Sequence, residues 1–132
     1  MGRVDSASVT SGSLTVHTAF ALPPFTDAPM PVYLTIDNTA ETPDSLLEVT
    51  TPATPHAMLH GGGMEGMTAL VVPANRSLAM RPGQLHLMLQ QPLPRFARGD
   101  SLQVTLRFAR AGSVAIWAFV IDYNDLDGMP SP

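Results

Sequence analysis

Two short segments of the sequence combine histidine with methionine. The first, HAMLHGGGMEGM, spans residues 56–67, and the second, LHLML, spans residues 85–89. Imidazole nitrogen binds many metals, whereas the thioether of methionine is a soft donor that suits Cu(I) and is poor for zinc, calcium or magnesium. The chain contains no cysteine, so a metal site must be built without thiolates. The combination of the two residue types therefore predicts a copper site.

The periodicity of both segments predicts strands that carry histidine and methionine on one face. In the second segment three leucines alternate with His86 and Met88, so those two side chains project together from the face opposite the leucines. The same parity groups His56, Met58 and His60 in the first segment. The hydrophobic effect should draw an exposed thioether inward. Methionines that repeatedly occupy the polar face are therefore interpreted as metal ligands.

Each of these residues also has a simpler interpretation. Methionine fills gaps in cores, and an exposed histidine is ordinarily a solvated polar group. Met58 and His60 are accordingly interpreted either as accessory ligands or groups that hand over the metal, or as solvated side chains. His17 falls on the polar side of the first predicted strand and is not assigned to the site.

The composition and the period-2 patterns predict an all-β fold. Thirteen prolines and ten glycines favour short strands joined by turns. About nine strands are expected, in a single-domain Greek-key β-sandwich or small barrel. The clearest alternating segments are LTVHTAF 14–20, VYLTID 32–37, SLLEVT 45–50, SLQVTLRF 101–108 and SVAIWAFV 113–120.

The domain is predicted over residues 13–121, between a flexible tail at 1–12 and an acidic tail at 122–132. The net charge of −4 and the absence of an arginine cluster argue against nucleic-acid binding. The longest apolar run, residues 114–121, is far shorter than a membrane span, and no leader pattern begins the chain. Trp117 is expected to pack in the core or at an interface.

Residues 13–121 resemble the PCuAC (DUF461) family of extracytoplasmic copper chaperones. The resemblance lies in RPGQLHLML at 81–89, followed by GDSLQVTLRF at 99–108. It implies a cupredoxin-like Greek-key β-sandwich. It also implies Cu(I) binding through a histidine, a methionine about a dozen residues later and an HxM pair, with delivery of copper toward the copper centres of cytochrome oxidase.

Carried over by position, the resemblance implies the ligands His56, Met67, His86 and Met88. Met64 is an alternative to Met67, because it also follows the glycine triplet. The expected cargo is Cu(I), with Cu(II) as a second candidate. The expected partner is a copper-receiving protein, either a cytochrome oxidase subunit or another copper chaperone. A periplasmic or other extracytoplasmic location is expected, with a leader or anchor absent from this sequence, and the site is expected to be exposed so that a partner can displace its ligands.

Two alternatives bear on the function. A blue-copper centre needs a cysteine thiolate and a serine hydrolase needs a marked nucleophile, so no enzyme activity is expected. The alternative left open is an immunoglobulin-like interaction module in which the histidines and methionines are incidental.

Overall fold

The computed structural model describes residues 8–23, 29–61, 66–67, 69–82, 84–90 and 96–122. These residues form eleven β-strands and no helix, so they contain no candidate transmembrane helix. The all-β class is confirmed, with more strands than the nine or so expected. The strands are β1 (Ser8–Ser11), β2 (Leu14–Ala21), β3 (Met30–Asn38), β4 (Asp44–Thr50), β5 (Ala57–His60), β6 (Gly66–Met67), β7 (Leu70–Val72), β8 (Arg76–Ala79), β9 (His86–Leu89), β10 (Ser101–Phe108) and β11 (Gly112–Val120).

The strands form one hydrogen-bonded path in the order β6-β5-β9-β3-β2-β11-β10-β4-β7, with β1 paired to β2 and β8 paired to β3. β4 also lies against β5, and β7 against β8, so the ends of the path approach each other and the sheet nearly closes into a barrel. Neighbours that are distant in sequence, such as β3 and β9, arise from crossovers of the Greek-key kind. These crossovers make β5 and β9 neighbours.

Strand β2 changes neighbours along its length. Leu14 to His17 pair with β1, whereas Phe20 and Ala21 pair in parallel with β11. Between these parts the register with β3 shifts, and Thr18 has a φ of 53°, in the left-handed region. An irregularity of this kind bends a strand. The bend separates the part of β2 that pairs with β1 from the part that pairs with β11.

Strand β10 shows how the alternating pattern builds the core. Leu102, Val104, Leu106 and Phe108 are buried, and the residues between them are partly or fully exposed. This is the arrangement that the sequence predicts for a half-buried strand. The prediction is confirmed residue by residue in this strand.

Trp117 is not a core residue, in contrast to one of the two roles expected for it. Its side chain is 51% exposed. Ile116 and Ala118 on either side are buried, so the alternation of β11 turns Trp117 outward.

Strand β1 lies within residues 1–12, the range expected to be a tail. Ser8–Ser11 pair antiparallel with β2 around a tight turn in which Gly12 has a φ of 60°. Their small and mostly polar side chains do not indicate a strand, but the ladder is made by backbone groups that every such residue carries. Residues 1–7 and 123–132 lie outside the described residues, so the remainder of both predicted tails stays a prediction.

A buried carboxylate accepts hydrogen bonds from the turn between β10 and β11 and holds it in place. Asp44, at the start of β4, is 5% exposed. Its Oδ1 accepts hydrogen bonds from the backbone N–H of Arg110 at 2.8 Å and of Ser45 at 2.7 Å, and its Oδ2 accepts one from the N–H of Ala111 at 2.9 Å. A buried charge is tolerated where hydrogen bonds replace water. Asp44 therefore links β4 to the β10–β11 turn.

Candidate metal centre

Strands β5 and β9 pair antiparallel and bring the two histidine and methionine segments side by side. The register places Met58 opposite Met88 and His60 opposite His86, and the leucines between them are also opposite each other. Directly opposite residues of antiparallel strands share a face, with Cβ atoms about 5 Å apart. Two imidazoles and two thioethers therefore occupy one face of the β5–β9 pair, which we call the His/Met face.

The two imidazole rings form an edge-to-face pair at the buried end of the His/Met face. The ring centroids of His60 and His86 are 5.6 Å apart with an interplanar angle of 72°. The two residues are 8% and 4% exposed, respectively. Tyr33 lies 6.2 Å from His86 on the other side, and Phe20 lies 5.1 Å beyond Tyr33. A row of rings thus crosses β5, β9, β3 and β2.

The backbone holds the His86 ring in one tautomer. Its Nδ1 lies 2.6 Å from the backbone carbonyl oxygen of Gln84. A carbonyl can only accept, so Nδ1 carries a proton and donates it. In the neutral ring Nε2 is then unprotonated. This Nε2 is buried and has no hydrogen-bond partner within the described part of the chain. An imidazole fixed through one nitrogen and bare at the other is arranged as a metal ligand.

We expect the uncharged His86 ring of the copper-free protein to carry its proton on Nδ1, because the Gln84 carbonyl accepts a hydrogen bond from that group. Long-range ¹H–¹⁵N NMR of the histidine rings distinguishes the tautomers. The expected spectrum has a protonated Nδ1 and an unprotonated Nε2 for His86. The reverse assignment would contradict the arrangement, since Nε2 would then offer no lone pair to a metal.

The two thioethers differ in exposure. Met88 is 5% exposed, whereas Met58 is 42% exposed. The side-chain amide of Gln90 donates a hydrogen bond from Nε2 to the Met58 sulfur at 3.7 Å. Gln90 therefore lies at the same end of the His/Met face as Met58. The His/Met face is therefore buried at His60, His86 and Met88 and open to solvent at Met58, which we call its open end.

His56 lies beyond the open end. It precedes β5 and is exposed. Its carbonyl accepts a hydrogen bond from the N–H of Gln90 at 2.9 Å, and its own N–H donates to Oγ1 of Thr54 at 3.2 Å. His56 is therefore opposite Gln90, two ladder positions outside the methionine pair, with the Ala57–Leu89 pair between them. Four residues of a strand span about 14 Å, which is the backbone separation between His56 and His60.

The predicted ligand Met67 belongs to the strand next to the His/Met face. Gly66–Met67 form β6, which pairs with β5 so that Gly66 is the register partner of His60 and Met67 that of Leu59. The backbone thus brings Met67 within one strand of the face. The side chain of Met67 and the whole of Met64 lie outside the described residues. Both assignments stay predictions.

His17 is separate from these residues, on β2. Its Nε2 pairs with Oδ2 of Asp37 at 2.9 Å, and its Nδ1 is 2.7 Å from Oγ1 of Thr18. The side chain is committed to this surface network, which supports leaving it out of the metal site.

Comparison with protein families identifies the family of this chain. Residues 14–120 match the family described as “Putative lipoprotein LpqE-like”. The chain belongs to the LpqE-like family. A search of the curated proteins gave no match.

Solved structures share the fold of this LpqE-like protein. The copper-bound PCuAC domain from PmoF2 is 23% identical with a TM-score of 0.80, over 87% of this chain and 97% of that chain. The apo PCuAC domain from PmoF1 is 25% identical with a TM-score of 0.79, over 87% and 98%. The Cu(I) form of DR1885 from Deinococcus radiodurans is 21% identical with a TM-score of 0.68, over 86% and 80%. The predicted resemblance to the PCuAC family and the cupredoxin-like β fold are confirmed.

The site of the LpqE-like protein is expected to be exposed, and the structure places its residues differently from one another. Among the described side chains, His60, His86 and Met88 are buried, whereas Met58 and the predicted ligand His56 are exposed. Exposure of the whole site stays a prediction, because the side chain of Met67 lies outside the described residues. Parity identifies the face of a strand but not whether another part of the molecule covers it. Here the Tyr33 ring lies beside His86, with ring centroids 6.2 Å apart.

Two contributors to this site of the LpqE-like protein have no signal in the sequence. The Gln84 carbonyl that orients His86 is a backbone group, and Tyr33 comes from a strand distant in sequence. Parity groups His60 with His56 and Met58, and its membership of a metal site stays a prediction. Its interpretation as a solvated side chain is wrong, because it is 8% exposed.

Proposed function

We propose that this LpqE-like protein binds copper, as Cu(I), and delivers it to a copper-receiving protein. The observation that carries the proposal is the His/Met face, where the register sets two imidazoles beside two thioethers. Thioether sulfur selects Cu(I) over zinc, calcium and magnesium, and imidazole binds Cu(I) and Cu(II). Two of the similar structures, the PmoF2 domain and DR1885, hold copper.

His86 and Met88 anchor the proposed site. His86 presents a buried Nε2 with no hydrogen-bond partner in the described residues, and Met88 is buried two residues further along the same face. The resemblance adds His56 as the second imidazole and Met67 as the second thioether. The register adds His60 and Met58 as further donors within reach. Cu(I) is the favoured cargo because sulfur and nitrogen donors surround the site.

Copper is cargo in this proposal, so the site needs a route for release. Met58 and His56 lie at the open end, where ligands of a partner can replace them first. Thioethers leave a metal without taking up a proton, so transfer can proceed in steps. The proposed acceptor is a cytochrome oxidase subunit or another copper chaperone. No catalytic step is assigned to the protein.

The proposed location is outside the cytoplasm. The family description as a lipoprotein supports it. The donor set supports it as well, because imidazoles and thioethers keep binding metal in an oxidising compartment where thiols form disulfides.

Native mass spectrometry tests the proposal. The protein is measured without metal, with Cu(I) under anaerobic conditions and with Zn(II). We expect one Cu(I) per chain to be retained after buffer exchange, and Zn(II) to be lost, because two thioethers are poor zinc ligands. A protein that retains no copper, or retains Zn(II) as well as Cu(I), would contradict the proposal. Retention of neither metal would favour an interaction module.

A further inference from the structure

The segment between β4 and β5 contains the same short motif twice, TPA at 51–53 and TPH at 54–56. In both copies the threonine hydroxyl accepts a hydrogen bond from the N–H two residues later, at 3.3 Å in the first copy and 3.2 Å in the second. Threonine hydroxyls form turns of this kind, and the proline stiffens them because its φ is fixed. The second copy ends at His56, which the resemblance to the PCuAC family makes a copper ligand.

The two threonine hydroxyls attach this segment to different strands. Thr51 Oγ1 donates to the carbonyl oxygen of Gln103 in β10 at 2.7 Å. Thr54 Oγ1 donates to the carbonyl oxygen of Gln90, the residue after β9, at 2.9 Å. Thr54 is 4% exposed, so its hydroxyl is shielded from water. The second motif therefore connects the backbone of His56 to the strand that carries the histidine and methionine pair.

The Thr54 hydroxyl takes the place of one hydrogen bond between the two strands. Directly opposite residues of a hydrogen-bonded antiparallel pair exchange two N–H···O bonds. Between His56 and Gln90 one bond is direct, from the N–H of Gln90 to the carbonyl of His56 at 2.9 Å. The other runs through Thr54 Oγ1, which accepts from the His56 N–H and donates to the Gln90 carbonyl. The hydroxyl therefore sets the distance of the His56 backbone from Gln90.

We propose that Thr54 is a positioning residue for copper binding, because its hydroxyl holds His56 in place beside the His/Met face. This inference rests on the proposed function. Successive residues on one face of a strand are about 7 Å apart, so His56 is one such step from the Met58–Met88 pair. The His56 side chain is exposed, so its backbone position, rather than packing around the ring, determines where the imidazole can reach.

The same hydrogen bonds have a purely structural interpretation, in which they stabilise the segment between β4 and β5 and nothing more. In that case loss of either threonine hydroxyl lowers the stability, and neither loss changes Cu(I) affinity. The repeated motif separates the two interpretations. Both hydroxyls donate one hydrogen bond and accept one, but the Thr54 hydroxyl contacts the backbone of His56 and the Thr51 hydroxyl contacts that of Ala53.

The experiment compares Thr54→Val and Thr54→Ser with Thr51→Val, the matched control. Valine keeps the shape of threonine without the hydroxyl, whereas serine keeps the hydroxyl. Cu(I) affinity is measured by anaerobic competition with a chromophoric chelator, and thermal unfolding of each copper-free variant measures stability. We expect Thr54→Val to weaken Cu(I) binding about tenfold or more, the loss typical of groups that orient a ligand. Thr54→Ser and Thr51→Val should bind Cu(I) as the unaltered protein does.

A double-mutant cycle with His56→Ala shows whether Thr54 acts through His56. If it does, Thr54→Val causes no further loss of Cu(I) affinity once the His56 imidazole is absent. An equal loss with and without that imidazole would overturn the inference and leave the proposed function standing. A folded Thr54→Val variant with unchanged affinity would do the same.

A measurement on the unaltered, copper-free protein needs no substitution. Amide hydrogen exchange followed by NMR is expected to show a protected N–H at His56, although this residue is exposed, because Thr54 Oγ1 accepts its hydrogen bond. A His56 N–H that exchanges as fast as in an unstructured peptide would overturn the inference alone. Failure of the unaltered protein to bind Cu(I) would overturn the proposed function and this inference together.

Discussion

His86→Ala is expected to abolish tight Cu(I) binding, with an affinity more than about 100-fold below that of the unaltered protein. The His86 ring is held through Nδ1 by the Gln84 carbonyl, and its buried Nε2 has no hydrogen-bond partner in the described residues. The substitution therefore removes a pre-oriented donor from the centre of the His/Met face. Competition titration with a chromophoric Cu(I) chelator measures the loss.

The control for this prediction is His17→Ala, which removes an imidazole from β2 and its pair with Asp37. It should bind Cu(I) as the unaltered protein does. Circular dichroism and thermal unfolding of both variants show whether each is folded. A folded His86→Ala protein that keeps its affinity within about tenfold would contradict the role assigned to this nitrogen.

Asp44→Ala is expected to produce a large loss of stability, about 3 kcal/mol in the free energy of unfolding. The Asp44 carboxylate is buried and accepts the backbone N–H groups of Arg110 and Ala111. Its removal leaves both donors without their acceptor and detaches β4 from the β10–β11 turn. Asp44→Asn should cost less, because the amide keeps one acceptor oxygen. Urea denaturation monitored by circular dichroism measures both values.

Glu48→Ala is the matched control, since it removes a carboxylate from the same strand. Glu48 pairs with Arg107 at 3.2 Å, but both side chains are at least half exposed, so the pair should contribute less than about 1 kcal/mol. An Asp44→Ala variant no less stable than Glu48→Ala would contradict the anchoring role. Asp44 lies near Asn38 at one end of β3, whereas β9 pairs with the other end. Copper affinity of the folded Asp44→Ala fraction should therefore be unchanged.

Much of the fold could be predicted because its strands are half-buried. A strand with one face in the core and one in water alternates in sequence, as β10 does from Leu102 to Phe108. Five alternating segments correspond to β2, β3, β4, β10 and β11. Strand β1 lacks this signal because its residues, SVTS, are small and mostly polar. Its place depends on backbone pairing with β2, which composition does not reveal.

The candidate site could be predicted only up to the faces of its strands. Parity groups His86 with Met88, and His56 with Met58 and His60. Parity does not show which residue of β5 lies opposite which residue of β9, because that register depends on how the whole sheet is assembled. The register distinguishes His60, opposite His86, from His56, opposite Gln90.

The burial of His60, His86 and Met88 could not be predicted for a related reason. The sequence shows that the face opposite the leucines carries polar and sulfur-containing side chains, which is ordinarily a sign of exposure. Burial of His86 depends on neighbours such as Tyr33, which reaches it from another strand. Trp117 is the opposite case. It lies in an apolar segment of the sequence, but its side chain points outward, which only the pairing of β11 reveals.

X-ray absorption at the copper edge of the Cu(I)-loaded protein tests the central claim most directly. The His/Met face predicts a mixed first shell, with imidazole nitrogen at about 2.0 Å and thioether sulfur at about 2.3 Å, as in other protein metal sites. Imidazole multiple scattering should also be present. A shell of nitrogen and oxygen alone, without sulfur, would contradict the account.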